Sequence, residues 1–292
     1  MARVLLVVNP QASAVSDERV ERVVAALGRD VEVVRTERQG HAIELVREAE
    51  ADAVVVFGGD GAFNEALNGL PADLPVGFAP GGGSSVLPRA LGLPSDPEAA
   101  AERIADALRA GRTRTISLGR VNGRRFSFAA GLGLPAEVVR RVDAKGRDSG
   151  RRPPDRAFVA SLARLIADQR GRLPEEIEVE GHGRVAFALV ANGDPYTYMG
   201  RFPVRLAPDA TWEGGLDLVA PRAVGPASIP RLVAAAFTGR AAKARGVLYL
   251  HDLDEIELRA DRPLPLQVDG EDIGDVEHAH FSSEREAANV LV

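Results

Sequence analysis

In the first third of the chain, short unbroken apolar runs alternate with stretches of helical spacing. Val4–Val8 and Ala53–Phe57 contain no polar residue and read as strands buried on both faces. Val31–Val34 and Val76–Ala79 read as two more strands. Between them, Asp17–Leu27 places Val20, Val23, Val24 and Leu27 on one helical face. Further helices are predicted over Ala42–Glu50, Ala62–Leu67, Ser84–Leu91 and Asp96–Ala110, the last with Ala99, Ile104, Ala107 and Leu108 along one side. Strand alternating with helix predicts a mostly parallel sheet covered by helices on both faces. Ligands of such sheets bind beyond the carboxyl ends of the strands. Asn9, Thr36, Gly58–Gly61 and Pro80–Ser85 all follow strand ends.

From Thr113 onward the period changes to two. Thr113–Val121 and Arg124–Ala130 flank Asn122-Gly123, a dipeptide that favours a two-residue hairpin turn. Glu175–Glu180 and Arg184–Ala191 flank Gly181-His182-Gly183 as a second hairpin. Other strands are predicted at Pro203–Leu206, Leu216–Val219, Gly246–Leu250, Glu255–Arg259, Leu264–Val268 and Asp275–Phe281. Two helices, Arg156–Arg170 and Ser228–Phe237, interrupt them, and Gly146–Pro154 reads as an exposed, mobile loop. The expected division is an α/β domain over 1–112 and an antiparallel β-sandwich-like domain over 113–292.

Composition narrows the function. The chain has 292 residues, is 45% hydrophobic and carries a net charge of −6. No domain-wide basic excess exists, which argues against nonspecific nucleic-acid binding. No apolar run reaches 18 residues, so no transmembrane helix is expected. There is no cysteine, which excludes disulfides and thiolate metal sites. Val4–Val8 is too short and too promptly followed by Asn9-Pro10 to serve as a signal peptide, and a cytoplasmic setting is expected. Charge is uneven. Residues 140–172 hold ten Lys or Arg against four Asp, while Asp252–Glu286 is mostly acidic. The basic run reads either as a solvated face or as a contact for anionic lipid headgroups.

The chemistry concentrates after the Ala53–Phe57 strand. Gly58, Gly59 and Gly61 let backbone approach a bulky anion, and the following helix aims its N–H groups at the same spot. Asp60 is a carboxylate suited to the magnesium that accompanies nucleotide phosphates. Asn64 and Glu65 sit in the first helical turn without a capping box, since Ala62 stands where Ser, Thr, Asp or Asn would be needed. No Gly-x-x-x-x-Gly-Lys-Ser/Thr run exists, so this is not a P-loop. With no obvious phosphate-clamping lysine, backbone amides and arginines must serve; Arg89 is a candidate. His278 and His280 share one strand face, but without a third ligand a zinc site is not expected.

The run Gly58-Gly59-Asp60-Gly61-x-x-Asn64-Glu65-x-x-Asn68-Gly69-Leu70 closely resembles the core motif of the diacylglycerol kinase catalytic family. That family includes bacterial lipid kinases and the sphingosine and ceramide kinases. Asn9-Pro10-Gln11-Ala12-Ser13 resembles its first nucleotide loop, Thr36 to Ala42 its second, and Pro80 to Gly92 its third. Gln267-Val268-Asp269-Gly270-Glu271 is similar to its acidic motif. The resemblance implies an NAD kinase/phosphofructokinase-like first domain that binds ATP and Mg2+. Nucleotide contacts would fall at Asn9, Pro10, Ser13, Thr36, Gly58, Gly59, Asp60, Gly61, Asn64, Glu65, Gly82, Gly83 and Ser84. It also implies a β-rich domain for the lipid, whose last strand, Asn289–Val292, can return to the first domain, and a lipid-cleft position at Asn192. Glu271 would accept the hydroxyl proton with Asp269 beside it, and Asp60 is the rival base; read without the family, Asp269-Gly270 is a turn between strands.

Two departures stand out. The family's third loop carries Thr and then Asn-Asp, where this chain has Gly83, Ser85 and Val86; Ser84 or Ser85 could replace the lost hydroxyl. Bacterial members also hold a structural magnesium through an Asp-Gly turn, and here Gly214 occupies the Asp position. Glu213 or Asp217, with Asp60, are the remaining metal candidates.

The expected activity is ATP-dependent phosphorylation of a primary hydroxyl on a lipid such as diacylglycerol. The expected location is the cytoplasm, peripheral at the inner membrane face, and a homodimer is left open. Extracting a 16-carbon chain from a bilayer costs on the order of 13 kcal/mol at about 0.8 kcal/mol per methylene. Such an enzyme therefore works at the interface or encloses the chain in an apolar cleft, which Phe126, Phe128, Leu132, Leu134, Val138 and Val139 could line. Two other readings remain: an NAD-kinase-like enzyme for a soluble substrate, and an inactive protein that binds lipid or nucleotide.

Overall fold

The structure, a computed structural model, describes residues 2–28, 30–147, 155–200 and 202–292. It divides into two compact units: Met1–Leu118 with Arg285–Val292, and Gly119–Glu284.

In the first unit, β1 (Val4–Val8), β3 (Ala53–Gly58) and β4 (Val76–Pro80) are buried along their whole length, whereas β2 (Val31–Arg35) is only partly covered. All four run parallel in the order β2-β1-β3-β4. The chain moves outward from β1 to β2, then crosses to β3 on the other side. The β1/β3 boundary is therefore the switch point at which a parallel sheet opens a crevice for ligands.

The helices start where local chemistry starts them. Ser16 caps α1 (Asp17–Leu27) by accepting from the Arg19 amide at 3.3 Å. Asp96 caps α5 (Pro97–Arg109) by accepting from Ala99 at 3.0 Å, with Pro97 in the first turn. Between them lie α2 (His41–Arg47), α3 (Asp60–Gly69) and α4 (Val86–Ala90). Helix α1 packs with α5, and α2 with α3. The α2–α3 contact is close because residue 69 is glycine: a Cβ there would lie 2.2 Å from the Ile43 carbonyl oxygen. The last residues of the chain also belong here. Val290 pairs with Val76 in parallel, and the Leu291 amide donates to the Val76 carbonyl at 2.9 Å.

The second unit is antiparallel. After β5 (Arg114–Val121), β6 (Arg124–Phe126) and β7 (Ala129–Leu132) come α6 (Leu134–Arg147) and α7 (Asp155–Asp168). The short strands β8 (Ile177–Val179), β9 (Gly183–Val185), β10 (Ala188–Ala191), β11 (Thr197–Met199) and β12 (Phe202–Val204) follow. The unit then holds β13 (Leu216–Pro221), α8 (Ile229–Phe237), β14 (Val247–Leu253), β15 (Glu255–Val268) and β16 (Glu271–Val290). The sheet order is β14-β13-β10-β7-β15-β16, with β8 and β9 added beside β15. Phe126, Leu132, Val190, Leu218, Leu266 and Phe281 lie in its core.

Several elements differ from the sequence expectation. The predicted strands Glu255–Arg259 and Leu264–Val268 form one strand, and the polar Asp261-Arg262-Pro263 break is absorbed as a register shift. The predicted Asp275–Phe281 and Asn289–Val292 join into β16, because Glu284 in the apparent gap binds Arg120 and Arg125. Helix α6 was not expected, although Ala136, Val139 and Val142 are buried at helical spacing. The Gly146–Pro154 loop expectation falls largely on 148–154, outside the described residues. Among the described residues, no helix is long and apolar enough to cross a membrane.

Candidate active site

The loops at the carboxyl edge of the parallel sheet are tied to one another by backbone bonds. The Asn9 amide donates to the Phe57 carbonyl at 2.9 Å, Gly81 to Gly58 at 2.6 Å, and Ala14 to Gly81 at 2.9 Å. Thr36 donates to Val8 at 2.9 Å at the start of the loop after β2. The predicted nucleotide residues Asn9, Pro10 and Ser13 thus follow β1, Gly58–Gly61 span the junction of β3 and α3, and Gly82–Ser84 follow β4, all around the switch point, with Thr36 one strand further out. Asn9 also folds its own loop, its Oδ1 accepting from the Gln11 amide at 3.0 Å.

The glycines have a steric reason. A Cβ on Gly82 would lie 2.8 Å from the Gly59 Cα, and one on Gly81 would lie 3.1 Å from Gly58 backbone atoms. A Cβ on Gly58 would meet Ala62 at 2.8 Å and Asn9 at 3.3 Å. Two bare backbone segments therefore face each other at the mouth of β3 and β4. Just beyond them stands the N-terminal turn of α3, where backbone N–H groups lack helical acceptors. Concave backbone, exposed amides and a helix dipole together favour an anion.

Asp60 opens α3 and is half-buried. Its Oδ1 accepts from the Val86 amide at 2.7 Å, so it also holds the start of α4. Ser85, ahead of that helix, is left-handed (φ 45°), and its hydroxyl donates to the Gly82 carbonyl at 3.2 Å. The Arg89 guanidinium reaches the Ser84 carbonyl at 3.4 Å. Where the resembled motif has Asp, Val86 offers a backbone amide to Asp60.

Glu65 has a structural partner that the sequence did not show. Its two carboxylate oxygens accept from the amides of Gly40 (2.8 Å) and Ala42 (3.3 Å), capping α2 from a neighbouring helix. Gly40 is left-handed and α2 has no side-chain cap of its own. Asn64 is fully buried, and Asn68 donates to its carbonyl at 2.9 Å and to its side-chain oxygen at 3.2 Å.

In the second unit, Asp269 and Gly270 form the two-residue turn between β15 and β16, both left-handed (φ 48° and 83°). The Asp269 carboxylate is buried. It accepts from the amides of Ser127 (2.7 Å), Phe128 (3.0 Å) and Ala129 (3.1 Å), and from the Ser127 hydroxyl at 2.9 Å. These bonds explain why the predicted strand Arg124–Ala130 breaks into β6 and β7. Asn192, also buried, donates to the Ser127 carbonyl at 2.9 Å. Burial pushes the Tyr196 phenol up to about 12, and the Asp269 charge adds to it.

Glu271, two residues on, is differently placed. It is partly exposed and its Oε2 pairs with the Arg124 guanidinium at 2.6 Å. Sequence reasoning missed Arg124 and Ser127, because each lies more than 140 positions from its partner.

Asp217 is buried within β13. It accepts from the Tyr249 hydroxyl at 2.5 Å and the Asp252 amide at 3.1 Å, and contacts His251 Nδ1 at 2.8 Å. Burial, with Asp217 beside it, lifts the Tyr249 phenol above its ordinary range. Glu213 is exposed. His278 and His280 both meet Glu257 on β15. Among the described residues, no three His, Asp or Glu side chains are grouped to hold a metal ion, and Asp60, Glu213 and Asp217 form no such group.

The run 140–172 is partly neutralised. Arg140 binds Asp272 and Asp275, and Arg141 binds Glu137 and Asp168. Those carboxylates hold both guanidinium groups above their ordinary pKa. The side chains of Lys145, Arg147 and Arg156, and all of Arg151 and Arg152, lie outside the described residues.

Comparison with known proteins agrees in sequence and in shape. Residues 3–121 match the family model of the diacylglycerol kinase catalytic domain. A diacylglycerol kinase of Bacillus subtilis strain 168 is 28% identical over 80% of this chain and 76% of its own length. Human sphingosine kinase 2 is 34% identical over 30% of this chain and 16% of its own. The crystal structure of a candidate diacylglycerol kinase from Bacillus anthracis strain Sterne superposes with a TM-score of 0.77. It covers 99% of this chain and 96% of that one at 21% identity, a likeness of fold.

Proposed function

We propose, from the match of residues 3–121 to the family model of the diacylglycerol kinase catalytic domain, that this chain transfers the γ-phosphate of ATP to the primary hydroxyl of a lipid, diacylglycerol first among candidates. The observation that carries the reading is the apposition of Gly59 and Gly82 at the switch point, beside Asp60 and the α3 N-terminus. A Cβ at Gly82 would lie 2.8 Å from the Gly59 Cα and push the two loops apart, so the close approach of their bare backbone depends on glycine there.

ATP and Mg2+ suit the residues present. Amides of Gly58–Gly61 and Gly82–Ser84 would bind phosphate oxygens, and Asn9 and Thr36 border the same edge of the sheet. Magnesium is commonly held by one or two carboxylates plus substrate phosphates, so Asp60 suffices without a protein cage. Bound there, the ion would neutralise charge on the transferring group.

For the proton acceptor, the geometry favours Glu271. Asp269 already serves four donors that fix the Ser127–Ala129 segment, and withdrawing it would undo that segment. Glu271 is accessible, and its ion pair with Arg124 orients it. A positioned base typically contributes 10²–10⁴-fold, roughly, to the rate.

The test is transfer of labelled phosphate from ATP to a lipid extract. Label recovered in organic solvent is the expected result. A water-soluble product would indicate the soluble-substrate reading, and nucleotide binding without product the inactive one. Asp60→Asn keeps an oxygen for the Val86 amide, so it should abolish turnover while the fold survives. Near-full activity of that variant would remove Asp60 from the mechanism.

A further inference from the structure

The strand that begins at Glu271 is not regular. Pro265 of β15 pairs with Asp275 of β16, and Gln267 with Asp272, so two steps on β15 oppose three on β16. The extra residue makes a β-bulge, in which Gly274 is left-handed at φ 104°. A Cβ at Gly274 would meet nothing within 4 Å, so glycine is needed there for its backbone angle and not for space. In a regular strand, residues three apart point to opposite faces. The bulge instead brings Asp272 and Asp275 within reach of one group.

That group is the Arg140 guanidinium on α6. Its Nε donates to Asp272 Oδ2 at 2.7 Å and its Nη2 to Asp272 Oδ1 at 3.0 Å, a bidentate fork. The same Nη2 donates to Asp275 Oδ1 at 2.5 Å, on the far side of the bulge. Asp272 Oδ1 also accepts from the Gly274 amide at 3.2 Å. Helix α6 is itself seated, since it packs against β15 and buries Ala136, Val139 and Val142. Neighbouring residues of a strand point to opposite faces. Arg140 therefore grips β16 through Asp272, and Glu271, directed the other way, pairs with Arg124. On the other side of Glu271, Asp269 is held by the Ser127, Phe128 and Ala129 amides. Glu271 thus stands between two anchors.

We infer that Arg140 is a positioning residue for the reaction: by locking the Gly274 bulge through Asp272 and Asp275, it fixes the backbone from which Glu271 meets the acceptor hydroxyl. The inference rests on the reading of Glu271 as the proton acceptor of a lipid kinase. A base works only within hydrogen-bond reach of its proton, and a misplacement of about 1 Å can cost on the order of 10²-fold in rate. The fork matters as much as the charge, because a lysine ammonium cannot bind a carboxylate along two fixed directions. Arg141, next along α6, is engaged elsewhere, by Glu137 and Asp168. It loses the same charge when substituted and supplies the control.

Two measurements on the full chain test it. The first, amide hydrogen exchange, needs no substrate. Arg140→Gln should speed exchange over residues 270–275 and leave β1 to β4 unchanged, whereas Arg141→Gln should leave 270–275 as in the wild type. Unchanged exchange at 270–275 in Arg140→Gln overturns the inference. The second is a kinetic cycle with dispersed short-chain diacylglycerol as acceptor. Arg140→Gln should lower kcat by roughly 10- to 100-fold with the KM for ATP unchanged. Arg140→Lys should recover little of that loss, and Arg141→Gln should keep the wild-type kcat. Because Arg140 acts through Glu271, adding Arg140→Gln to Glu271→Gln should cause no further fall. A further fall of the same size in that background would leave Arg140 a purely structural role and overturns the inference. A wild type that transfers no phosphate to lipid, while exchange responds as expected, defeats the kinase reading and the catalytic role with it, and the clamp on β16 stands.

Discussion

Asp269 and Glu271 sit two positions apart yet do different work. The sequence offered both as acid–base candidates and could also read Asp269-Gly270 as a turn. The structure makes Asp269 the anchor of a three-amide segment and leaves Glu271 in an accessible ion pair. Hydrogen bonds to a charged group contribute about 1.5–3 kcal/mol each, so Asp269→Asn should lower unfolding free energy by about that much or more. Glu271→Gln should leave the denaturant midpoint nearly unchanged while lowering kcat by roughly 10²–10⁴-fold. Equal loss of stability in both variants would remove this distinction. Glu65 teaches the same lesson. Its position after the glycine turn suggested ligand contact, but its carboxylate caps α2 at Gly40 and Ala42. No local pattern reveals a cap supplied from 25 residues away.

Elements were legible where their signal is periodic. The parallel strands and the helices α1 and α5 follow from apolar spacing, and the structure adds Ser16 and Asp96 as the caps of those helices. Long antiparallel strands were read as fragments, because Asp261-Arg262-Pro263 and the charged stretch around Glu284 look like loops until cross-strand partners are known. Helix packing was likewise invisible. Gly69 is the last residue of α3; glycine loses more backbone entropy there than alanine would, yet it permits the approach of α2. Gly69→Ala should therefore destabilise the protein by about 1–3 kcal/mol despite the better helix propensity of alanine. Urea denaturation reads the sign directly, and a gain in stability would show that the helices can separate at little cost.

For the molecule as a whole, the last strand returns the end of the chain to the first unit. Ala288, Val290 and Leu291 are almost fully buried there. Full burial of a Val or Leu side chain is worth about 1.5–3 kcal/mol. Removing residues 288–292 should thus cost about 3–6 kcal/mol and leave β4 without its pairing to Val290, which on the proposed function would weaken nucleotide binding. Calorimetry that shows an unchanged transition would refute that role.

The amino-acid order alone settled the alternating α/β pattern, the glycine turn with Asp60 and the kinase motif, because period, turn chemistry and motif spacing are properties of neighbours along the chain. Folding settled which carboxylates are engaged: Asp269 by Ser127–Ala129, Glu271 by Arg124, Glu65 by Gly40 and Ala42. Those partners are distant in the chain and become neighbours only when strands and helices pack, so their chemistry is written in the contacts and not in the spacing.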